Sequence, residues 1–467
     1  MGLLRPGRAR SLLLAMMAMI LVCTVYLYWS PINASSAVSV VPSTAFEVPI
    51  SERQKDFWKA FRPILERHDP NCPSPQKLED AGAGHFDPTT DSPRQDITTL
   101  AEEDQTKMGE AHASFVEEIR AAGKALEPVH TPGKRGLVST AGSTYLPVFV
   151  SSMRMLRRTG STLPVEVFMK DSGEYEKRIC NDVLPALNAK CLVLGDVLGK
   201  DTIEHYQLKI FAVLFSSFEE IVWMDADCFP LGKPEDLLDA EPFTSSGLVT
   251  WPDFWRSSAS PLYYKISRQE APPMTARQSS ETGVFLVGGP GEGDKETFLQ
   301  AATAMGAPFY AVSERVQAIG HQLGEKLAGS AMAQSDPRED YALTTQAKWR
   351  TKDPKVAPPP HVFFIHANYP KFNPGDNVFG TAWETTPTLK EDGSDGRAWT
   401  APPDTIRRFG YDIEKTYWEE IKLVTCRYES LFKSWEHKAG LCQRVEDYWA
   451  HVFAEPHDDD PKFTLDG

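Results

Sequence analysis

Between residues 136 and 194 the chain alternates strand-like and helix-like patterns, and this alternation restricts its possible folds more than any other feature. Gly136-Leu-Val-Ser-Thr140 is a short apolar run closed by the turn Ala141-Gly142-Ser143. A helical pattern through 153–158 follows, then a strand at 164–169, a helix near 174–187 and a strand at 191–194. This β-α-β-α-β order predicts an α/β fold with a mostly parallel central sheet, whose ligand sites lie at the carboxyl ends of the strands. Gly142, in the first strand-to-helix turn, would let backbone N–H groups approach a nucleotide; a glycine there also serves simply to make the turn.

The 467 residues exceed one ordinary core, and 41% hydrophobic with 24% charged residues excludes a wholly disordered chain. A formal charge of −15 disfavours a nucleic-acid partner held by phosphate neutralisation. Residues 11–29 carry no charge, and nineteen residues of helix span about 28 Å, close to the ~30 Å of a bilayer core. Arg5, Arg8 and Arg10 precede this run, and no basic residue follows until Arg53. The sequence therefore predicts a cytosolic tail at 1–10, a retained transmembrane signal anchor at 11–29 and a luminal remainder.

A stem is expected at 30–130, with helical spacing at 52–67 and 98–126 separated by a Pro/Asp/Gly-rich loop. A catalytic domain is expected at 131–410 and a helical C-terminal extension at 411–467. Six cysteines fall on the luminal side, an even number that suits an oxidising compartment. Six allow 15 connectivities. Cys180–Cys191 and Cys426–Cys442 are the economical pairings, each closing a short loop.

The sharpest local signal is Glu220-Ile-Val-Trp-Met-Asp225-Ala-Asp227: an unbroken apolar strand that delivers two carboxylates at its carboxyl end. By period-two alternation both can face one side, where they repel unless a hard cation separates them. His361-Val-Phe-Phe-Ile-His366 repeats the grammar, with Lys371 five residues on. A strand-end His suits a further metal ligand, and the Lys a phosphate-pairing ammonium.

These residues resemble a family. Tyr206-Gln-Leu-Lys209, the stretch from Ser216 to Asp227, Trp251-Pro-Asp-Phe-Trp255, the stretch from Ala276 to Gly283, that from Gly291 to Phe298, and Phe364-Ile-His-Ala-Asn368 are similar to motifs of the fungal Golgi α-mannosyltransferases that branch mannan outer chains. The resemblance implies a GT-A-type nucleotide-sugar-binding fold, GDP-mannose as donor, Mn²⁺ as cofactor, a mannosylated glycoprotein glycan as acceptor and retention of the α configuration, with α-1,2 favoured over α-1,3 linkage. It implies a single-pass Golgi membrane protein with a luminal catalytic domain, and other mannosyltransferases as candidate partners in a complex.

Carried over by residue, the resemblance gives Asp225, Asp227 and His366 to the metal. Lys209 and Lys371 go to the donor, and Thr140, Gly142 and Tyr145 to its nucleotide end. Glu281 and Asp294 fall around the transferred mannose and the acceptor, although an acid at a helix start, as at Asp294, is also favoured structurally. Trp251, Asp253 and Trp255 could wall a sugar, with core packing as the plain alternative for Trp251.

One departure stands out. Relatives place a helical, aromatic-rich stretch of a few dozen residues where this chain has only Gly288-Gly-Pro290. A three-residue link cannot hold a helical turn. An exon missing from the sequence or a natural deletion would produce it. The latter would make the protein a catalytically silent, membrane-anchored subunit of a mannan-synthesising complex.

Overall fold

The computed structural model describes residues 50–79, 94, 96–122, 126–199, 207–254, 260–271, 284–288, 297–376, 378–457, 460, 461 and 463. The expected anchor at 11–29, and Tyr206, Trp255, Glu281 and Asp294, lie outside these residues. Among the described residues no helix is long and apolar enough to cross a membrane.

The strands are β1 (Gln76–Lys77), β2 (Thr98–Thr99), β3 (Thr131–Thr140), β4 (Val165–Met169), β5 (Ala189–Val193), β6 (Phe218–Met224), β7 (Cys228–Pro230), β8 (Leu248–Thr250), β9 (Val284–Gly288), β10 (Tyr310–Ala311), β11 (Gln317–Leu323), β12 (Lys326–Ser335) and β13 (Val362–His366). Seven form one sheet in the order β10-β8-β9-β6-β3-β4-β5. As the alternation predicts, β6, β3, β4 and β5 pair in parallel. The other half departs from the parallel expectation: β9 runs antiparallel to both β6 and β8, so the sheet is mixed. A second sheet, β11-β12-β13-β7, is antiparallel throughout.

The main helices are α1 (Ile50–Arg67), α2 (Glu102–Ala122), α3 (Tyr145–Arg158), α4 (Gln207–Leu214), α5 (Pro261–Ser267), α6 (Thr297–Met305), α7 (Pro337–Thr345), α8 (Ile413–Tyr428) and α9 (Leu441–Phe453). Alpha-helix α3 buries nearly its whole inner length, Leu146 to Leu156, against the parallel half of the first sheet. The helix expected near 174–187 is instead a π-type turn at Ile179–Val183 and a 3₁₀ turn at Pro185–Leu187. Pro185 removes a backbone donor there, and Asn188 takes a left-handed conformation that turns the chain into β5. The disulfide Cys180–Cys191 ties this irregular segment to β5.

The expected stem does not stand apart from the body. Trp58 and Phe61 of α1 share a core with Phe215, Trp223, Phe168 and Phe285, on one face of the first sheet. At the other end, Tyr417 and Trp418 of α8 join Phe229 and Ile365 of the second sheet in another core. Residues 50–467 accordingly form one compact unit.

Cys426–Cys442 ties α8 to α9 across a sequence separation of 16. Replacing both cysteines by serine is expected to lower unfolding free energy by about 3 kcal/mol, read as a lower urea midpoint with a somewhat steeper slope as the unfolded chain expands.

Glu414, buried in the first turn of α8, accepts hydrogen bonds from the backbone N–H groups of Ala398 and Trp399. Burial pushes its carboxyl up to about 7, against the opposing pull of Arg397 and those hydrogen bonds. Because the folded value lies above the unfolded one, the stabilisation is complete below about pH 4.5 and is lost as pH rises through 7. The protein should lose about 3 kcal/mol from this group between pH 4.5 and 8. Thermal midpoints should fall over that range, and the slope should flatten in Glu414→Gln.

Candidate functional site

Strand β6 is buried along its last four residues, Ile221 to Met224, and so carries the chain through the core to its edge at Asp225. The indole N–H of Trp223 donates to Asp225 Oδ1 at 2.9 Å, as expected for residues two apart on one face of a strand. Lys209 of α4, itself buried, places its ammonium 3.2 Å from the same oxygen and 5.2 Å from the centre of the Trp223 ring. Trp223 stacks on Phe285 of β9 at 5.6 Å. The antiparallel strand thus fixes the ring that orients the carboxylate.

After Met224 the chain turns rather than continuing extended, and the Cys228 N–H donates to the Asp225 carbonyl at 3.0 Å. Period-two alternation therefore does not govern Asp227. The turn feeds β7, which pairs with β13 so that Cys228 lies opposite His366. His366 Nε2 comes within 3.2 Å of Asp227 Oδ1. Lys371 donates to Asp227 Oδ2. Asp227 is 2% exposed and His366 7%.

Burial alone would raise the Asp227 pKa, but the charges of His366 and Lys371, with their hydrogen bonds, hold it well below the carboxylate range. Burial would likewise lower the Lys371 ammonium, and Asp227 outweighs it, raising the value. Cys228 sits in the same group, its ligand atom within 4.8 Å of those of Asp227 and His366. Burial pushes its thiol well up, and Asp227 and Asp225 push it further.

Of the three residues expected to bind metal, the structure brings Asp227 and His366 together and leaves Asp225 on Lys209 and Trp223. One carboxylate oxygen and one imidazole nitrogen are donors that can hold a divalent metal ion. The Asp227 charge is met here by Lys371, and that of Asp225 by Lys209.

Thr140 ends β3, and Tyr145 opens α3 with 45% of its surface exposed. Lys371 lies 5.5 Å from the Tyr145 ring centre, which joins the first strand-to-helix turn to the Asp227 group. Gly142 has a further local reason to be glycine. A Cβ there would fall 2.4 Å from the Glu174 carboxyl, which accepts from the Lys170 N–H at 2.9 Å.

Trp251 is fully buried, donates to the Ser335 carbonyl at 2.7 Å and packs edge-on against Phe364. It is a core residue, not a sugar wall. Asp253 is buried too.

Asn373 had no motif to announce it. Its amide donates to the Thr144 carbonyl at 2.9 Å, and its Oδ1 accepts from the Trp435 indole at 2.8 Å. The loop that carries Lys371 is clamped this way to α3 and to the segment between α8 and α9. A Cβ on Gly375 would meet the Trp435 ring at 2.2 Å, so that close approach needs glycine.

A mixed α/β sheet that ends a buried strand in D-x-D, with a strand-end His and a Lys brought to the second Asp, gathers the carboxylate, imidazole and ammonium groups that a nucleotide-sugar diphosphate with a divalent cation would need. Comparison with known proteins narrows this. The family model described as "Mannosyltransferase putative" matches residues 134–286 and 278–336, two pieces that overlap at 278–286. The alpha-1,2-mannosyltransferase MNN21 of Candida albicans is 28% identical, over 75% of this chain and 66% of its own. The alpha-1,2-mannosyltransferase MNN2 of Saccharomyces cerevisiae is 28% identical, over 72% of this chain and 70% of its own. The chain is similar to these fungal alpha-1,2-mannosyltransferases, and it spans about two thirds of the length of these two. Among solved structures, the glycosyltransferase GlyE of Streptococcus pneumoniae aligns at a TM-score of 0.30 with 13% identity, over 64% of this chain and 63% of that one.

Proposed function

We propose that this protein transfers mannose from GDP-mannose to a hydroxyl of a mannosylated glycan in α-1,2 linkage, with retention, in a GT-A-type fold. The observation that carries this reading is the convergence of His366 and Lys371, from β13 and its following loop, on Asp227 beside the Asp225–Lys209–Trp223 group.

Asp227 and His366 would hold Mn²⁺, with Asp225 supplying a second carboxylate on the same rim. The metal, when bound, supplies charge neutralisation for a departing diphosphate. Lys371 offers a mobile set of N–H donors to the same oxygens, and its pairing with Asp227 keeps it charged. Tyr145 presents an exposed ring beside it to the nucleotide end. Positioning does most of the work in such a site, because the leaving group is already good once its charge is met. Two routes give retention: a carboxylate nucleophile with two inversions, or same-face substitution in which the diphosphate takes the acceptor's proton. We favour the same-face route.

The anchor expected at 11–29 and the D-x-D site together support a single-pass Golgi protein with its catalytic part luminal. The short link at 288–290 supports the second reading, a silent subunit of a mannan-synthesising complex. One assay separates the two. Full chain incubated with labelled GDP-mannose, Mn²⁺ and an α-mannoside acceptor should yield a product whose linkage analysis gives α-1,2. Folded protein that transfers nothing, with or without Mn²⁺, would overturn the enzyme reading.

A further inference from the structure

A second polar cavity, of about 270 Å³, opens at the far edge of the antiparallel sheet. It is bounded by β11, by the segment from Trp383 to Thr400 and by the end of α9. Strand β12 separates β11 from β13, which carries His366, and the cavity shares no residue with the Asp225–Lys371 site.

Its charges are already spent on one another. Arg397 is bound by both oxygens of Asp412, at 3.0 and 2.7 Å, and by Asp460 at 2.7 Å. Asp395 is held by two N–H groups of Arg444, at 2.6 and 2.8 Å. Lys390 and Glu391 stand side by side at the rim with opposite sign. No group of metal-ligating atoms gathers here among the described residues.

What the wall does offer is neutral. His321 lines the cavity with both ring nitrogens closed off from solvent and without a hydrogen-bond partner among the described residues, so a small turn of the ring would present them to a ligand. Gln322 adds an amide, and Trp383, partly exposed, adds an indole face. Neutral donors and acceptors beside one aromatic face, with fixed ion pairs behind them, are the chemistry that recognises a sugar ring. Its hydroxyls take the polar groups and its C–H face lies on the indole.

We propose that this cavity is a second glycan site, which binds one hexose unit of an α-mannan chain away from the carboxylate site. The identity of the glycan rests on the function proposed above. A polymeric acceptor held at two points gains affinity through effective concentration without any change in the reacting groups.

The test is binding of α-mannotetraose, without donor or metal, to the full chain, followed by saturation-transfer NMR and calorimetry. Wild type and Asp227→Asn should bind alike. Trp383→Ala should weaken binding about tenfold or more, Trp383→Phe much less, and His321→Gln several-fold. A thermal melt checks that each variant is folded, and Trp383→Phe and His321→Gln decide the matter if Trp383→Ala is not. No binding to wild type overturns the proposal, as does binding lost in Asp227→Asn yet intact in Trp383→Ala. The result does not depend on catalysis, so a protein that transfers nothing can still bind here. Conversely, if the cavity is only structural, transfer to a short acceptor survives while Trp383→Ala leaves glycan binding unchanged.

Discussion

Asp227→Asn should cut mannosyl transfer by about a thousandfold or more while leaving the protein folded. The change removes one unit of charge from the point where His366 and Lys371 converge, and replaces a carboxylate oxygen by an amide that cannot serve as an anionic ligand. Asn keeps the shape, so the loss would be electrostatic rather than steric. Lys371 is then left without its counter-charge, and stability should fall by about 1–3 kcal/mol, which a urea titration of the variant would register separately. Asp225→Asn should also impair transfer, but its Trp223 and Lys209 partners can still meet an amide oxygen. Its loss should therefore be smaller, on the order of tenfold to a hundredfold. Chelation should silence the wild type, and added Mn²⁺ should restore it. Equal transfer by Asp227→Asn and wild type would remove the site from the reaction altogether.

The residues at this site differ in how visible they are from sequence. Asp225, Asp227 and His366 are legible because each ends an unbroken apolar run, and a polar residue at the end of a buried strand is delivered to an edge by geometry alone. Lys371 is legible by its short distance from His366 in the chain. The partition of these residues is not legible. Alternation predicts two carboxylates on one side, but the turn after Met224 breaks the extended backbone and sends Asp225 to Lys209 while Asp227 meets His366.

Asn373 and Trp435 are invisible for another reason. Sixty-two residues apart in sequence, they meet only because α8 and α9 fold back over the second sheet. The strand directions show the same limit. Nothing in the apolar run at 284–287 encodes whether it lies parallel or antiparallel to β6. The expected helix near 174–187 fails locally, at Pro185, where a missing donor outweighs the apolar spacing.

The second large effect concerns the C-terminal segment, which the sequence presents as a packed helical extension. Trp418→Ala should destabilise the protein by about 3–5 kcal/mol. Trp418 is fully buried, with its ring centre 4.4 Å from that of Tyr448, 5.6 Å from Phe379 and 6.0 Å from Phe372. These partners come from α9 and from the loop just after Lys371, so no neighbouring side chain can collapse into the space without moving a second element. Phe372 adjoins Lys371 and also packs on Trp399 and Tyr417. The cavity would open directly behind the loop that positions the ammonium on Asp227. Transfer should consequently fall along with stability, through a looser Lys371, and a KM for donor that rises more than kcat falls would mark that cause. Trp418→Phe, which keeps ring packing at lower volume, should recover most of the stability. If Trp418→Ala unfolds at the wild-type urea concentration, α8 is a dispensable tail and the loop is held by Asn373 and Trp435 alone.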